Sequence, residues 1–419
     1  MHRGTLFCFL ITLLCIPLNS EDTKVYVHNT CDDWGFFAHR KLNELAVYTI
    51  PAPLNTFYKS HLEEVRERAV DPDKRRYAIK GEAVRHYIDL DHWGENAVND
   101  LPRQQERAIW RTAIFYWIQK GDTTLVFDTT QNCIFTECER DFTQAFSTQF
   151  LTLQKGISEK SAYAWLRDVA MREHDEFEWH ISADKTAEWL GTKLGNEGYL
   201  HIDDRFSKHG IIPYFFPQHY RRLVRAFEEK NISKIVRLSA DLGHYIGDAH
   251  VPLHTTKNYN GQLTGQDGIH AFWESRIPEL FADEEFDYVV GRASYIQSPE
   301  EFIWSVVKKS HQGVDSVLSI EKRLSQTLPQ DQLYCYESRL GAVVKLPCKE
   351  YARLYHQSLD RQVEERFREC ILAIGSVWYS AWTDAGQPIL NESPHDKKQD
   401  EDEMKALTDK QKNQIRVHE

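Results

Sequence analysis

Residues 243–274 read GHYIGDAHVPLHTTKNYNGQLTGQDGIHAFWE. Five of its ligand-type side chains follow the pattern H-x3-D-x5-H-x15-H-x3-E: His244, Asp248, His254, His270 and Glu274. Positions four residues apart lie one turn above each other on a helix, so His244 with Asp248, and His270 with Glu274, each share a helical face. Two such faces that meet in a helical bundle form a metal cage. Histidine with carboxylates is the ligand set typical of catalytic zinc, which keeps a position open for water.

A lone histidine on an apolar helix is more often a hydrogen-bonded core residue than a ligand. Five ligand-type residues at these spacings would bury several charges without partners, which folding does not tolerate. The spacing therefore predicts a metal centre. Asp241, one turn before His244, is predicted to accept a hydrogen bond from that imidazole. His250 fits neither helical pair and is predicted to lie outside the ligand set.

The wider pattern predicts an all-α, multi-helix bundle. Apolar residues recur at helical intervals in five segments: 35–49, 56–70, 231–247, 269–277 and 359–382. Only 123–129 (TTLVFDT) predicts a strand. Residues 102–208 are predicted to be a mostly helical insertion with one hairpin, in which 174–180 (HDEFEWH) forms a solvated helix face.

The two ends of the chain differ in composition from its centre. Residues 1–20 combine a basic start with the apolar run Leu6–Leu18, which predicts a signal peptide and a secreted or periplasmic protein. That run is too short for a transmembrane anchor, and no later segment predicts one. Residues 21–33 form a polar leader, 34–390 the main domain, and 391–419 a charged tail predicted to be disordered.

Six cysteines follow the predicted signal peptide, and an even number in an exported chain permits disulfides. Proximity favours Cys133 with Cys138 and Cys335 with Cys348, and reduced thiols are the alternative. The net charge of −12 excludes general electrostatic attraction to a polyanion. Any phosphate substrate must therefore be held by local positive charge.

Three upstream motifs accompany the metal-binding stretch: Trp34–His39 (WGFFAH), Asp71–Asp73 (DPD) and His86–Asp89 (HYID). Together with 243–274 they resemble the superfamily of zinc-dependent phospholipases C and single-strand-specific nucleases of the S-one and P-one type. The exported bacterial phospholipase C-like branch is the most similar. The resemblance covers about 34–100 and 210–280, with a weaker echo at 374–388, and it implies a helical bundle with a metal cluster in a cleft.

The resemblance implies two to three zinc ions. The first would be bound by Asp71, His86, His244 and Asp248. The second would be bound by His254, His270 and Glu274. The third would share Asp248 and add His39 with the backbone amine and carbonyl of Trp34.

Trp34 is where this chain departs from the family pattern, in which the tryptophan is the mature N-terminus. Here thirteen residues separate Ser20 from Trp34. Either a further cleavage after Asp33 frees the amine, or the third site is weaker or differently made. Asp32 and Asp33 are alternative oxygen ligands.

Hydrolysis of a phosphate ester is the activity that the resemblance implies. On this resemblance, bound zinc would acidify water near neutral pH and would stabilise the charge that develops on the phosphate. Asp71 would orient that water, and Lys74 and Arg75 would contact the phosphate or else be surface charge. Single-stranded nucleic acid and a phospholipid head group both remain open as substrate, and no stable protein partner is predicted. The alternative is a catalytically silent, zinc-stabilised secreted binding protein.

Overall fold

The computed structural model describes residues 35–390, apart from 77, 129–133, 151–155, 173, 176–177, 195–196 and 340–341. The predicted signal peptide, the polar leader with Trp34, and the charged tail lie outside the described residues. Within them the chain is largely helical and also contains two antiparallel sheets. No helix in this part of the chain is long and apolar enough to cross a membrane.

The described residues begin with a run of helices that confirms the first two predicted helical segments. Their bounds are α1 (Gly35–Val47), α2 (Leu54–Ser60), α3 (Leu62–Glu67), α4 (Asp71–Arg75), α5 (Leu90–Trp93) and α6 (Ala97–Asp100). α1 buries Ala38, Leu42 and Ala46, which recur at the spacing of one helical face. A 3-10 turn, Arg68–Val70, leads from α3 into α4.

Residues 102–208 fold differently from the prediction. They contain four helices: α7 (Gln105–Thr112), α8 (Gln144–Gln149), α9 (Glu159–Asp168) and α10 (Ala183–Leu190). They also contain five strands: β1 (Ile114–Gln119), β2 (Asp122–Leu125), β3 (His174–Asp175), β4 (Glu178–Ser182) and β5 (Gly198–Asp203). The strands form one antiparallel sheet in the order β2-β1-β5-β4-β3. The prediction of an all-α, mostly helical insertion is therefore wrong in this region, whereas the predicted strand at 123–129 overlaps β2, which forms a hairpin with β1.

The sheet accounts for two sequence patterns in this region, one of which was predicted to be a helix face. Phe115 and Trp117 are buried on one face of β1 while Tyr116 points to the other, which is strand alternation. Lys120 and Gly121 both have positive φ (54° and 89°) and join β1 to β2 in the two-residue turn that suits a hairpin. Segment 174–180 supplies β3 and part of β4 rather than a solvated helix face.

The second half of the chain returns to helices. They are α11 (Ile212–Glu228), α12 (Ile232–His250), α13 (Ile269–Ala271), α14 (Ile277–Glu285), α15 (Pro299–Gln312), α16 (Val314–Thr327), α17 (Lys349–Ser358) and α18 (Gln362–Asp384). A π-helical turn, Phe272–Arg276, joins α13 to α14. The predicted helices at 231–247, 269–277 and 359–382 are confirmed.

α12 lies at the centre of the bundle. Every residue from Ser239 to His250 is buried, and α1, α11, α15 and α18 pack around this helix. A helix enclosed in this way is normally apolar on all sides. α12 nevertheless carries His244 and Asp248, so its polar side chains must find partners inside the protein.

A hairpin of β6 (Tyr334–Arg339) and β7 (Ala342–Pro347) lies between α16 and α17. The predicted disulfide between Cys335 and Cys348 is confirmed. The predicted pairing of Cys133 with Cys138 lies outside the described residues because Cys133 does. Cys370 is a buried free thiol.

Candidate metal centre

Four side chains converge beside the buried half of α12. Asp248 Oδ2 lies 2.8 Å from His86 Nδ1 and 3.3 Å from His244 Nε2, and the two imidazole nitrogens are 3.1 Å apart. Asp73 Oδ1 completes this four-residue group at 3.6 Å from His244 Nε2 and 3.7 Å from His86 Nδ1. Tetrahedral zinc with bonds of about 2.0–2.1 Å separates its ligand atoms by about 3.3 Å. The group therefore has the dimensions of a metal site.

A second, three-residue group lies next to the first. His270 Nε2 is 2.8 Å from Glu274 Oε2 and 2.9 Å from His254 Nε2. His254 Nε2 is also 3.3 Å from Glu274 Oε2. All three ligand atoms thus point to one spot, and His270 is the most exposed of the three side chains.

His39 connects the two groups. Its Nε2 atom lies 3.5 Å from Asp248 Oδ1 and 3.5 Å from Glu274 Oε1, and its ring stacks on His244 at 3.9 Å. Each carboxylate therefore turns one oxygen to its own group and the other to His39. His39, His244 and Asp248 also form a set that could hold an ion.

Short local structures position these side chains. His244 and Asp248 stand one turn apart on α12, and Glu274 lies on the π-helical turn that follows His270. His254 lies on a 3-10 turn, Pro252–Thr255. The backbone N–H of Ile88 donates to the carbonyl of His254 (2.9 Å), which fixes the two groups relative to each other.

Backbone carbonyls set the orientation of two imidazoles. His244 Nδ1 donates to Ala69 O (2.8 Å), and His254 Nδ1 donates to His86 O (2.6 Å). Each ring therefore turns the lone pair of Nε2 toward its group, as metal-binding histidines do. Asp241 was predicted to orient His244, but Ala69 does so instead.

The donor set suits a divalent metal ion. Imidazole nitrogens and ionised carboxylate oxygens that lie this close together suit a shared cation, and several divalent metal ions accept this donor set. His86 Nε2 and His39 Nδ1 are buried and make no hydrogen bond with the described residues. Buried His, Asp and Glu groups that could hold a metal ion are thus present.

The carboxylates of the centre are held in the ionised form. Burial opposes this, but neighbouring histidines keep the pKa values of Asp248 and Glu274 well below their usual range. Burial also disfavours charge on His244 and His254, yet the adjacent carboxylates raise both pKa values to about 9. Burial lowers the pKa of His86. Without metal, protons on His244 and His254 would balance the buried negative charge.

These pKa values predict how the stability of the metal-free protein depends on pH. A histidine with a raised pKa stabilises the fold fully below its unfolded value of about 6.5. That contribution is lost as pH rises through about 9. We expect the Tm of chelated protein to fall over this window and that of zinc-loaded protein to fall less, because bound metal replaces the protons. An equal fall in the Tm of the chelated and the zinc-loaded protein, measured by calorimetry, would contradict this expectation.

Two glycines on α12 allow α1 to approach closely. A Cβ atom at Gly247 would lie 2.9 Å from His39 Nδ1, and one at Gly243 would lie 1.9 Å from Asn43 Oδ1. Asn43 is buried and donates to the carbonyls of Val65 and Ala240, both at 3.2 Å. The glycines therefore permit the stacking of His39 on His244.

Gly247→Ala is expected to displace His39 and to weaken binding of the metal ion that His39 helps to hold by about tenfold. This is the lower end of the cost of disturbing a residue that supports a metal site. Gly243→Ala is the matched control, because it also crowds α1 but meets Asn43 rather than His39. Metal titration and thermal unfolding of both variants separate the two effects. Equal metal affinity in the two variants would refute a specific role for Gly247.

The structure brings together most of the predicted ligands: His39, His86, His244, Asp248, His254, His270 and Glu274. It leaves Asp71 outside, where the carboxylate contacts Lys74 Nζ at 3.1 Å. Asp73, two residues later, occupies the position expected of Asp71. The DPD motif contained both aspartates, and only the direction of the side chains on α4 distinguishes them.

The two predicted phosphate contacts also lie away from the groups. Arg75 is largely buried and binds Asp241 (3.0 Å), and Lys74 is exposed beside Asp71. Arg76 is the cation of this segment that approaches the centre, with Nη1 3.7 Å from Asp73 Oδ1. His250 lies outside the groups, as predicted, and its Nδ1 donates to Ile246 O (2.7 Å).

Sequence reasoning also missed a buried network behind the four-residue group. The ring of Tyr245 contacts the edges of His86 and His244, at 5.4 and 5.7 Å between ring centres. Its hydroxyl donates to Glu82, which also accepts from Arg85. The network fixes a wall of the centre, and no sequence pattern indicated it.

Comparisons with known proteins add no relative. No protein-family model matches the chain, and no curated protein matches it.

Proposed function

We propose that this protein is an exported hydrolase that cleaves phosphodiester bonds with two to three bound zinc ions. We further propose that it belongs to the zinc-dependent phospholipase C and single-strand-specific nuclease superfamily. One observation carries the proposal. Two adjoining groups of histidines and carboxylates, bridged by His39, converge inside a helical bundle with the dimensions of metal sites.

The charges of the centre support an anionic substrate. When bound, the metal ions would supply Lewis-acid stabilisation of charge on phosphate oxygens and would acidify water. Asp248 and Glu274 would help to hold the ions, and each turns one carboxylate oxygen to its own group and the other to His39. The chain would thus hold several cations within a protein of net charge −12. This local positive charge meets the requirement that composition imposes on a phosphate-binding protein.

Arg76 is our candidate for the phosphate-binding side chain. It contacts Asp73 at the edge of the four-residue group, and about two fifths of its side chain (39%) is exposed. It also lies near Tyr87. Burial raises the pKa of Tyr87 to about 12, and the positive charge of Arg76 acts in the opposite direction. A guanidinium at this position would bind two phosphate oxygens in bidentate geometry from outside the metal centre.

Arg76→Ala is therefore expected to lower kcat/KM for a phosphodiester about tenfold or more. Lys74→Ala is the matched control, since Lys74 contacts Asp71 outside both groups. Steady-state kinetics with bis(p-nitrophenyl) phosphate measure both variants. An effect of Lys74→Ala as large as that of Arg76→Ala would assign the loss to general surface charge instead.

Export is supported by the N-terminal apolar run and by the disulfide between Cys335 and Cys348, because disulfides persist in oxidising compartments. The substrate could be single-stranded nucleic acid or a phospholipid head group. Both are phosphodiesters, and the metal groups alone do not distinguish them.

The test counts the metal in purified protein and assays hydrolysis of bis(p-nitrophenyl) phosphate, a single-stranded oligonucleotide and phosphatidylcholine. Each assay is run before chelation, after chelation, and after zinc is restored. We expect hydrolysis that chelation abolishes and zinc restores. Turnover that survives complete metal removal would refute the proposal. Zinc binding that raises Tm without any turnover would instead favour the silent zinc-stabilised binding protein.

A further inference from the structure

Two histidines face each other on the outward side of the five-stranded sheet. His180 on β4 lies directly opposite His201 on β5, and their ring centres are 5.1 Å apart with the ring planes tilted by 35°. His180 is exposed and His201 is half-buried. We call these two residues the histidine pair. The pair is separate from the candidate metal centre and has no part in the proposed function.

The separation of the two rings suits imidazoles that share one metal ion. Bonds of about 2.0–2.1 Å at a tetrahedral angle place the ring centres of two bound imidazoles about 5 Å apart. The candidate metal centre supplies an internal comparison. The ring centres of His86 and His244 are 4.9 Å apart. Those of His254 and His270 are 4.8 Å apart. The histidine pair therefore has the spacing of the imidazoles in the metal centre.

The sheet holds the histidine pair in position from its other side. The neighbours of both histidines along their strands point to the opposite face and are at most 2% exposed: Trp179, Ile181, Leu200 and Ile202. Side chains alternate across a strand, so this buried face keeps the histidine pair on the solvent side. β5 is also hydrogen-bonded on both edges, by β1 and β4. An ion would thus meet two ligands whose backbone is already fixed, which lowers the entropic cost of binding.

Neighbouring rings pack against both imidazoles. Tyr199 lies edge-on to His180, with 5.0 Å between ring centres. Tyr116 on β1 lies on the other side of the pair, 5.9 Å from His201. The four rings form one row across the face of the sheet. This packing restricts the rotamers of the imidazoles and keeps them next to each other.

The donors that the pair offers are imidazole nitrogens. Asp203 lies two residues from His201 on the same face of β5, but its carboxylate pairs with Arg205 (3.0 Å) and Lys208 (3.6 Å). Imidazole suits copper, nickel and zinc, whereas magnesium and calcium require oxygen ligands. Among the first three ions, Cu²⁺ binds a given set of nitrogen donors most tightly.

We propose that the histidine pair is a further metal site, which chelates a late first-row divalent ion and takes Cu²⁺ in preference to Ni²⁺ or Zn²⁺. Water would fill the remaining positions around the ion. The ion would link β4 to β5 and would bind the folded sheet only. It would therefore raise the Tm of the protein as its free concentration rises above the Kd.

The test is a titration of Cu²⁺ into the full-length protein after its metal centre has been loaded with zinc. Calorimetry measures the affinity and stoichiometry of Cu²⁺ binding, and elemental analysis verifies that the zinc is retained. Electron paramagnetic resonance counts the nitrogen ligands of the bound copper. We expect a Cu²⁺ ion that is bound by two imidazole nitrogens and that raises Tm.

His180→Gln and His201→Gln should each lower the affinity of this ion about 100-fold, because the second ligand of a chelate acts at a high effective concentration. The copper spectrum of each variant should lose the signature of paired imidazoles. Tyr116→Phe is the matched control, since it alters the ring beside His201 without removing a nitrogen. It should bind Cu²⁺ as the wild-type protein does. Thermal unfolding without copper verifies that all three variants are folded.

The stoichiometry distinguishes a shared ion from two separate ones. If each histidine bound its own ion, each single variant would keep half of that copper at unchanged affinity, and the proposal would be overturned. Wild-type affinity in either histidine variant would also overturn it, as would copper that enters only by displacing zinc from the metal centre. The outcome does not depend on phosphodiester hydrolysis, so failure of the proposed function would leave this test intact.

Discussion

Asp248→Asn is expected to remove at least one metal ion and to lower phosphodiester hydrolysis by at least about 100-fold, because losing a ligand should cost no less than losing a residue that only supports one, which costs about 10–100-fold. The substitution keeps the shape of the side chain and removes its charge. The reason for the large effect is geometric. Asp248 turns Oδ2 to His86 and Oδ1 to His39, so one residue serves two parts of the centre.

Metal content by elemental analysis and kinetics with bis(p-nitrophenyl) phosphate measure this loss. His244→Ala, which removes the partner one turn away, is expected to have a similar effect. Thermal unfolding of the metal-free variants shows whether either substitution also damages the fold. Full activity with unchanged metal content in either variant would defeat the assignment of the four-residue group.

Local spacing was enough to predict the helices and the ligand pairs on them. His244 with Asp248, and His270 with Glu274, are four residues apart, and helical geometry brings such residues together regardless of the rest of the fold. The same reasoning located α1, α12 and α18, whose apolar faces repeat through several turns. These features depend on neighbours in the sequence, which is why a single sequence reveals them.

The sheet depends on partners that are distant in the sequence. Ile114–Gln119 (IFYWIQ) is almost continuously apolar, so its letters show no alternation to distinguish a strand from a buried helix. Its neighbour β5 begins only at Gly198, where Trp117 pairs with Leu200. No residue close to β1 in the sequence indicates that pairing. Apart from the strand predicted at 123–129 and the one predicted hairpin, the strand content of residues 102–208 was therefore hidden from local reasoning.

Contacts between separate segments were accessible only through the family resemblance. His39 and His86 carry no local sign of metal binding, and the motifs WGFFAH and HYID placed them in the centre. The resemblance did not resolve the DPD motif, in which Asp71 and Asp73 are equally suitable by residue type. The direction of a side chain on the short helix α4 depends on how α4 packs against α12, which is tertiary information.

Asp73→Ala and Asp71→Ala test which of the two aspartates binds the metal ion. Asp73 Oδ1 lies within 3.7 Å of both His86 Nδ1 and His244 Nε2, so its loss is expected to lower metal affinity and hydrolysis about 100-fold. Asp71 contacts an exposed lysine, and its loss should change the free energy of unfolding by less than about 1 kcal/mol. Hydrolysis by Asp71→Ala should stay near the wild-type rate. The reverse ranking in zinc titration and kinetics would show that the metal-bound protein uses Asp71, as the resemblance implies, and that α4 turns when the ion binds.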